Sequence, residues 1–195
     1  MRRFPMQSIS LTEVLQSRCP DLDIAMPSWS ADLRAGNIQD SFAFAALVRA
    51  FKPARYFEIG TGDGRTSLLA AANSGPDAKI HTLDLHYSEY PQIGSLYKQR
   101  PEGAKVTQFS GSSADFDFSK FKKSMDLVFI DGGHEIEDVV RDTHIAFDIA
   151  RDGGCILWHD LLYESREVIE GLHLSGYVDR IYQVGGTAYG ICPSV

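Results

Sequence analysis

Two segments in the second half of the chain end in a carboxylate and a histidine. The stretch "LVFIDGGH" places Asp131 and His134 after an apolar run, and "CILWHD" places His159 and Asp160 after a second one. If both runs are strands of a parallel sheet, their carboxyl ends lie at one edge and bring the four side chains together. Two carboxylates and two imidazoles at one edge can bind a divalent metal ion and can take a proton from a substrate.

A glycine-rich loop occurs earlier, in the stretch "YFEIGTGDGRTS". Here a strand pattern that contains Glu58 runs into Gly60, Thr61, Gly62 and Gly64, and a helical pattern follows. Glycines at such a place let the backbone turn tightly and approach a ligand closely. The spacing E-x-G-x-G-x-G differs from the dinucleotide-binding pattern G-x-G-x-x-G, whose third glycine serves helix–strand packing. A tight strand-to-helix turn that binds no ligand is the alternative interpretation.

Two further strand ends carry groups that suit a nucleoside. Asp84 ends the stretch "KIHTLD", about 20 residues after the glycine loop. A carboxylate there can accept hydrogen bonds from both hydroxyls of a ribose, although an aspartate that caps a helix would look the same. The stretch "FSGSSAD" offers small side chains and hydroxyls after the next strand, which leaves room for a flat ring. Gly-Ser-Ser is also common in ordinary loops, so this signal is weak alone.

The pattern of apolar residues predicts alternating strands and helices around these groups. Strands are predicted at Arg55–Ile59, Lys79–Leu83, Val106–Phe109, Leu127–Ile130 and Cys155–Trp158, and helices at Ile38–Phe51, Arg65–Asn73, Gln92–Gln99, Glu135–Arg151 and Ser165–Leu174. Such alternation favours a mostly parallel sheet with helices on both faces. Two β-rich runs around Gly185 and Gly186 predict a final antiparallel hairpin. Ser10, with Glu13 three residues later, predicts the start of a short helix.

The length of 195 residues predicts a single domain with a sizeable core. Residues 1–40 are interrupted by prolines and a glycine and are predicted to form an N-terminal covering segment, whereas residues 41–195 carry all the motifs. The aromatic residues Trp29, Tyr87 and Tyr90 are candidates for a substrate pocket or for packing.

Composition excludes several classes of partner. Acidic residues outnumber basic ones to give a net charge of −7, and no basic run is present, which argues against nucleic acid as a ligand. The chain has no apolar stretch that could span a membrane and no apolar signal core. Its three cysteines, Cys19, Cys155 and Cys192, form no C-x-x-C pair, as is typical of proteins in a reducing compartment. We therefore expect a cytoplasmic protein that binds neither nucleic acid nor a membrane.

Taken together, the motifs resemble those of class I S-adenosylmethionine-dependent methyltransferases. The stretch "IDGGH", followed by "HD" after the next strand, is similar to the metal-dependent O-methyltransferases, which include catechol, caffeoyl-CoA and sugar or macrolide enzymes. The resemblance runs from about Gly36 to the end of the chain. It implies a Rossmann-like, mostly parallel seven-stranded sheet with a C-terminal antiparallel hairpin and helices on both faces, in which residues 41–195 form the cofactor-binding core.

The resemblance also assigns roles to individual residues. It implies that His134 is the catalytic base and that Asp131, His159 and Asp160 bind a divalent metal, Mg²⁺ or Mn²⁺. The residues that it implies for S-adenosylmethionine binding are Glu58, Gly60, Thr61, Gly62, Gly64, Asp84, Asp131 and, beside the adenine, Ser113 and Ala114. In that family the pair after the fifth strand is usually two acids or Asp-Asn, whereas here it is His-Asp. Because imidazole is a poor ligand for Mg²⁺, either His159 does not bind, or the ion is not Mg²⁺, or no ion is bound.

These inferences predict S-adenosylmethionine-dependent O-methylation of a hydroxyl group on a small molecule. A hydroxyl is a poor nucleophile until it loses its proton, so that a metal ion and a histidine base would both assist the reaction. A homodimer is the candidate assembly. Two alternatives stay open: a protein that binds S-adenosylmethionine without catalysis, and a metal-dependent hydrolase, in which the glycine loop would have no role.

Overall fold

The structure is a computed structural model that describes residues 6–19, 22–27, 38–86, 92–161 and 165–195. The strands are β1 (Gln7–Ser10), β2 (Arg55–Ile59), β3 (Lys79–Asp84), β4 (Val106–Ser110), β5 (Met125–Ile130), β6 (Ala150–Trp158), β7 (Tyr182–Gly185) and β8 (Gly190–Cys192). The helices are α1 (Leu11–Gln16), α2 (Ile38–Phe51), α3 (Arg65–Asn73), α4 (Ile136–Ile149) and α5 (Arg166–Leu174). Within the described ranges, no helix is both long and apolar enough to cross a membrane.

The strands of the described residues form one sheet in the order β1-β7-β8-β6-β5-β2-β3-β4. β8 runs antiparallel to both of its neighbours, and all other adjacent strands are parallel. This confirms the predicted mostly parallel sheet with a C-terminal antiparallel hairpin. The chain leaves β2 towards β3 and β4 and then returns to place β5 on the other side of β2, so that the strand order reverses between β2 and β5. Ligands of open α/β sheets bind outside the carboxyl ends of the strands at such a point.

Helices cover both faces of the sheet, as predicted. Helices α1, α2 and α3 pack on one face, where Phe44 of α2 lies 4.8 Å from Phe129 of β5 between ring centres. Helices α4 and α5 pack on the other face, where the Trp158 indole is buried and donates a hydrogen bond to Thr143 at 3.1 Å. Because both faces are covered, the central strands β2 and β5 are mostly apolar and buried, and the main exception is the buried Glu58 of β2. The two layers thus fix the positions of the strand ends.

The sheet of the described residues has eight strands, one more than predicted. The additional strand, β1, pairs in parallel with β7 at the edge of the sheet. Its sequence "QSIS" lacks the apolar alternation that predicts a strand. Ser10 then caps α1 with the predicted capping box, in which its side chain accepts from the amide of Glu13 at 3.1 Å. The backbone of Ala25 exchanges two hydrogen bonds with the side chain of Asn73, at 2.8 and 2.9 Å, so that this part of the N-terminal segment covers α3.

One predicted helix is wrong and another ends earlier than expected. The range Gln92–Gln99 contains a turn with Gly94 at a φ of +67° and then a short 3₁₀ helix, Tyr97–Gln99. Helix α4 ends at Ile149 because β6 begins at the next residue, Ala150, which pairs with β5.

Some predictions concern parts of the chain outside the described residues. These are most of the irregular stretch that precedes α2 and the three aromatic candidates Trp29, Tyr87 and Tyr90.

Candidate active site

The glycine loop touches the end of β5 at the point where the strand order reverses. Gly60 follows β2 with a φ of +94°, and a Cβ atom there would overlap the carbonyl oxygen of Asp131. The amide of Asp131 in turn donates to the carbonyl of Ile59 at 2.8 Å. Glycine is therefore required at position 60 both by its backbone conformation and by this close approach. The backbone thus holds the loop against the acidic residue that follows β5.

Asp84, at the end of β3, fixes the conformation of the loop. Its Oδ2 atom accepts hydrogen bonds from the amides of Thr61 and Gly62, both at 2.8 Å, and its Oδ1 atom accepts from the amide of Leu85 at 2.7 Å. Loop amides of this kind bind pyrophosphate in dinucleotide folds, whereas here they already bind a carboxylate. A carboxylate can accept about four hydrogen bonds, so that Asp84 could still accept one from a ribose hydroxyl. This contact with a ribose stays a prediction.

Glu58 supports the loop from inside the core. Its side chain is fully buried and accepts hydrogen bonds from the hydroxyls of Thr66 and Ser67, in the first turn of α3. Burial raises the pKa of Glu58 to about 8, although these hydrogen bonds act in the opposite direction. Glu58 therefore ties β2 to α3, and direct contact with a cofactor stays a prediction.

Two clefts flank the glycine loop and share Gly60, Gly62 and Asp131. The larger has a volume of about 380 Å³ and the smaller of about 190 Å³. Besides the shared residues, the larger cleft is lined among others by Asp84, Ser113, Asp138, Arg141 and Asp142, and the smaller by Asp40, Thr61, Arg65, His159 and Tyr189. Three residues predicted to bind the cofactor, Glu58, Gly64 and Ala114, line neither cleft. Gly64 is the N-cap of α3 and packs against Tyr97, and Ala114 is exposed.

The four side chains at the ends of β5 and β6 lie together, as the sequence predicts. Nε2 of His134 lies 2.9 Å from Oδ2 of Asp160. Nδ1 of His159 lies 3.3 Å from Asp131 and 3.2 Å from Asp160. Burial alone would lower the pKa of His159, but its hydrogen bonds to the two carboxylates outweigh burial and raise the pKa to about 10. Asp160 adopts a φ of +62°, which is uncommon for a residue other than glycine and frequent at functional sites.

This group could hold a metal ion, with a donor set that differs in one member from the predicted set. Single ligand atoms of Asp131, His134 and Asp160 lie within 4.8 Å of one another. His159, which the sequence predicts as a ligand, instead places Nδ1 within reach of both carboxylates. Two carboxylates and an imidazole suit Mn²⁺, Fe²⁺ or Zn²⁺ better than Mg²⁺. The donor chemistry therefore fits a divalent ion. A protonated His159 would offset the negative charge of the same two carboxylates.

Three polar residues of α4 line the larger cleft without having been predicted. Asp138, Arg141 and Asp142 are three and four residues apart and therefore share one helix face, which is the signal in the sequence that could have identified them. Gly132 and Gly133 make room for this face. A Cβ atom at position 132 would lie 3.0 Å from Oδ2 of Asp142, and one at position 133 would overlap the carboxylate of Asp138.

A known family covers the part of the chain that builds these features. Residues 57–161 match the family model of a methyltransferase domain, which is more than half of the chain. The match begins in β2 and extends just past Asp160, so that it includes the glycine loop, Asp84 and the four side chains beyond β5 and β6. Comparison with curated protein sequences finds no match.

Solved methyltransferase structures share the fold. The O-methyltransferase from Bacillus cereus in complex with SAH has a TM-score of 0.64 and 18% identity, over 93% of this chain and 88% of that chain. The O-methyltransferase TomG from Streptomyces achromogenes, involved in tomaymycin synthesis and in complex with SAM, has a TM-score of 0.64 and 16% identity, over 96% and 91%. A putative O-methyltransferase from Klebsiella pneumoniae has a TM-score of 0.64 and 19% identity, over 93% and 87%. The sequence match and the shared fold agree, and the chain belongs to the family of methyltransferase domains.

Proposed function

We propose that this protein transfers the methyl group of S-adenosylmethionine to a hydroxyl of a small molecule. The observation that carries the proposal is the position of Asp131. This residue lies against the glycine loop, lines both clefts, and reaches the histidines and the second aspartate beyond β6. Structures of the same fold that are described as O-methyltransferases, with SAH or SAM bound, support the same activity.

The two clefts divide the cofactor between them. The larger one accommodates the adenosine, with Asp84 as the acceptor for the ribose hydroxyls. The smaller one accommodates the methionine part, since Thr61 of the glycine loop and His159 at the end of β6 line it. Gly60, Gly62 and Asp131, which line both clefts, would then hold the sulfonium, and His134 and Asp160 would act on the acceptor beside it. Transfer to an oxygen in line with the sulfur requires orientation and a deprotonated nucleophile above all.

His134 removes the proton of the acceptor hydroxyl in this proposal. Its side chain is 63% exposed, so that a bound substrate can reach it, and its contact with Asp160 fixes the orientation of the ring. A histidine held by a carboxylate is the usual arrangement of a general base. His159 would remain between Asp131 and Asp160 and compensate their charge.

A divalent metal ion is the other way to activate the hydroxyl. Asp131, Asp160 and His134 would hold it, and a bound ion lowers the pKa of a coordinated hydroxyl. In that case His134 acts as a ligand rather than as the base. The two versions share the cofactor and the acceptor class and differ in their response to chelation.

The experiment is methyl transfer from S-adenosylmethionine to a panel of phenols, catechols and sugars, measured as S-adenosylhomocysteine formed. The panel is run in excess EDTA and again with added Mn²⁺ or Mg²⁺. Turnover that persists in EDTA supports the base without metal, and turnover that EDTA abolishes and Mn²⁺ restores supports the metal site. Tight binding of S-adenosylhomocysteine without turnover of any hydroxylated compound would instead indicate a cofactor-binding protein without catalysis.

A further inference from the structure

One wall of the larger cleft is formed by a network of polar side chains, and three of its four members, Asp138, Arg141 and Asp142, have no predicted role. Arg141 donates to the hydroxyl of Ser113 through Nε at 3.2 Å and Nη2 at 3.1 Å, and Nη2 also donates to Asp138 at 2.6 Å. The Ser113 hydroxyl donates to Asp142 at 2.6 Å, and Nε of Arg141 lies 3.4 Å from the same carboxylate. The side chain of Asp142 is 1% exposed, so that it anchors the network in the core.

This network commits Ser113 to protein partners. Its single hydroxyl proton goes to Asp142, and its oxygen accepts from Arg141. Ser113 thus holds the guanidinium of Arg141, and its predicted place beside the adenine stays a prediction.

Arg141, in contrast, retains a donor that the protein does not use. Its Nη1 atom makes no hydrogen bond with any of the described residues, and its side chain lines the larger cleft and is 32% exposed. The planar guanidinium is held by Ser113, Asp138 and Asp142, so that little freedom is lost when a ligand binds. Among the described residues that line this cleft, Arg141 is the one cation.

The chemistry of adenine fits this donor. The ring carries three unprotonated nitrogens, N1, N3 and N7, which can only accept hydrogen bonds. The charged groups next to Arg141 in the cleft are carboxylates, which cannot donate. We propose that Arg141 is a specificity-determining residue of the cofactor site, donating through Nη1 to a ring nitrogen of adenine, with Ser113, Asp138 and Asp142 as positioning residues. This inference rests on the proposed function, because it requires the adenosine to occupy the larger cleft.

The test compares S-adenosylhomocysteine with three analogues in which N1, N3 or N7 of the adenine is replaced by C–H. Calorimetry on the wild-type protein should show one of the three binding about ten- to a hundredfold more weakly than the parent, the usual scale for a hydrogen bond from a charged donor. Arg141→Gln should bind the parent more weakly by a similar factor and no longer distinguish that analogue. Arg141→Lys keeps the charge without the planar fork and should not restore the discrimination.

Arg151→Gln provides the matched control, because Arg151 forms a comparable ion pair with Asp126 at 2.6 Å away from the cleft. Its affinities should equal those of the wild type. Equal affinity of the wild-type protein for all three analogues and the parent would overturn the inference, even if the Arg141 variants failed to fold. An Arg141→Gln protein with the wild-type preference would also overturn it. A wild-type protein that binds no S-adenosylhomocysteine at all would instead refute the proposed function itself, and the inference with it.

Discussion

The contact between His134 and Asp160 is the one that the proposed mechanism uses to take the proton of the acceptor. If His134 is the base, His134→Ala should lower kcat by about 10²–10⁴-fold, the range for loss of a general base, and leave S-adenosylhomocysteine affinity nearly unchanged. Single-turnover rates and calorimetry measure the two quantities. His144→Ala is the matched control, since His144 is an exposed residue of α4 whose ring packs against that of Tyr177. A His134→Ala protein with wild-type rates would show that the proton leaves by another route.

Glu58 should make the stability of the protein depend on pH. Burial raises its pKa to about 8 in the folded state, against 4.5 for a glutamate side chain in the unfolded chain. Below about pH 4.5 both states are protonated, and between 4.5 and 8 only the folded state retains the proton. The free energy of unfolding therefore falls as pH rises through this window, by at most about 1.4 kcal/mol per pH unit.

Glu58→Gln removes this dependence, because an amide does not titrate in the window. Urea unfolding of both proteins should be measured between about pH 5 and about pH 8. The free energy of unfolding of the variant should rise relative to that of the wild type as pH rises. All other groups titrate alike in the two proteins, so that the difference isolates position 58. Parallel curves would mean that Glu58 is ionised in the folded state throughout.

The connection between β2 and α3 depends on one glycine more than on its neighbour in the loop. Gly60→Ala should lower the free energy of unfolding by about 3 kcal/mol or more. The new Cβ atom would force the ends of β2 and β5 apart and would also strain the backbone. Gly62→Ala has the same left-handed strain, with a φ of +51°, but no atom within 4 Å of the new Cβ. It should therefore cost only about 1–2 kcal/mol. Urea unfolding of the two variants measures the difference, and equal losses would show that the contact with Asp131 can relax.

The elements that depend on local pattern could be predicted, and those that depend on distant contacts could not. β2 and β5 are mostly apolar and are followed directly by Gly60 and Asp131, so that the sequence predicts where they end. β1 is a strand because β7 offers it an edge, a fact that "QSIS" does not contain. The stretch from Gln92 to Gln99 has a helical composition, yet Gly94 takes a left-handed conformation against the ring of Tyr97.

The same division applies to the candidate site. Strand order alone brings Asp131, His134, His159 and Asp160 together, because parallel strands end at one edge. Side-chain geometry at the level of single ångströms determines which histidine contacts which carboxylate. The spacing of these residues in the sequence does not predict this pairing. The network around Arg141 requires α4 to pack on the loop after β4, and the two residues in contact are 28 positions apart in the chain.

At the scale of the whole molecule, charge and loop geometry both bear on the choice of cofactor. The chain carries a net charge of −7, and the larger cleft is lined by four carboxylates and one guanidinium. S-adenosylmethionine carries a sulfonium cation, which the carboxylate of Asp131 between the two clefts would favour, whereas the carboxylates of the larger cleft would repel a pyrophosphate. The amides of Thr61 and Gly62, which could bind a phosphate, are already bonded to Asp84. The molecule should therefore accept S-adenosylmethionine and reject NAD.

Thermal unfolding with each ligand tests this choice without any knowledge of the acceptor. A ligand at a hundred times its Kd that binds only the folded protein adds about 2.7 kcal/mol, which for a domain of this size raises Tm by about 5–10 °C. S-adenosylmethionine and S-adenosylhomocysteine should both produce such a shift, and NAD at the same concentration should produce none. Asp84→Ala should reduce the shift with S-adenosylmethionine, because it removes the proposed ribose acceptor and also releases the loop amides. A shift with NAD as large as that with S-adenosylmethionine would mean that the loop gives up its bonds to Asp84 for a phosphate, and the glycine spacing would then have been assigned to the wrong cofactor.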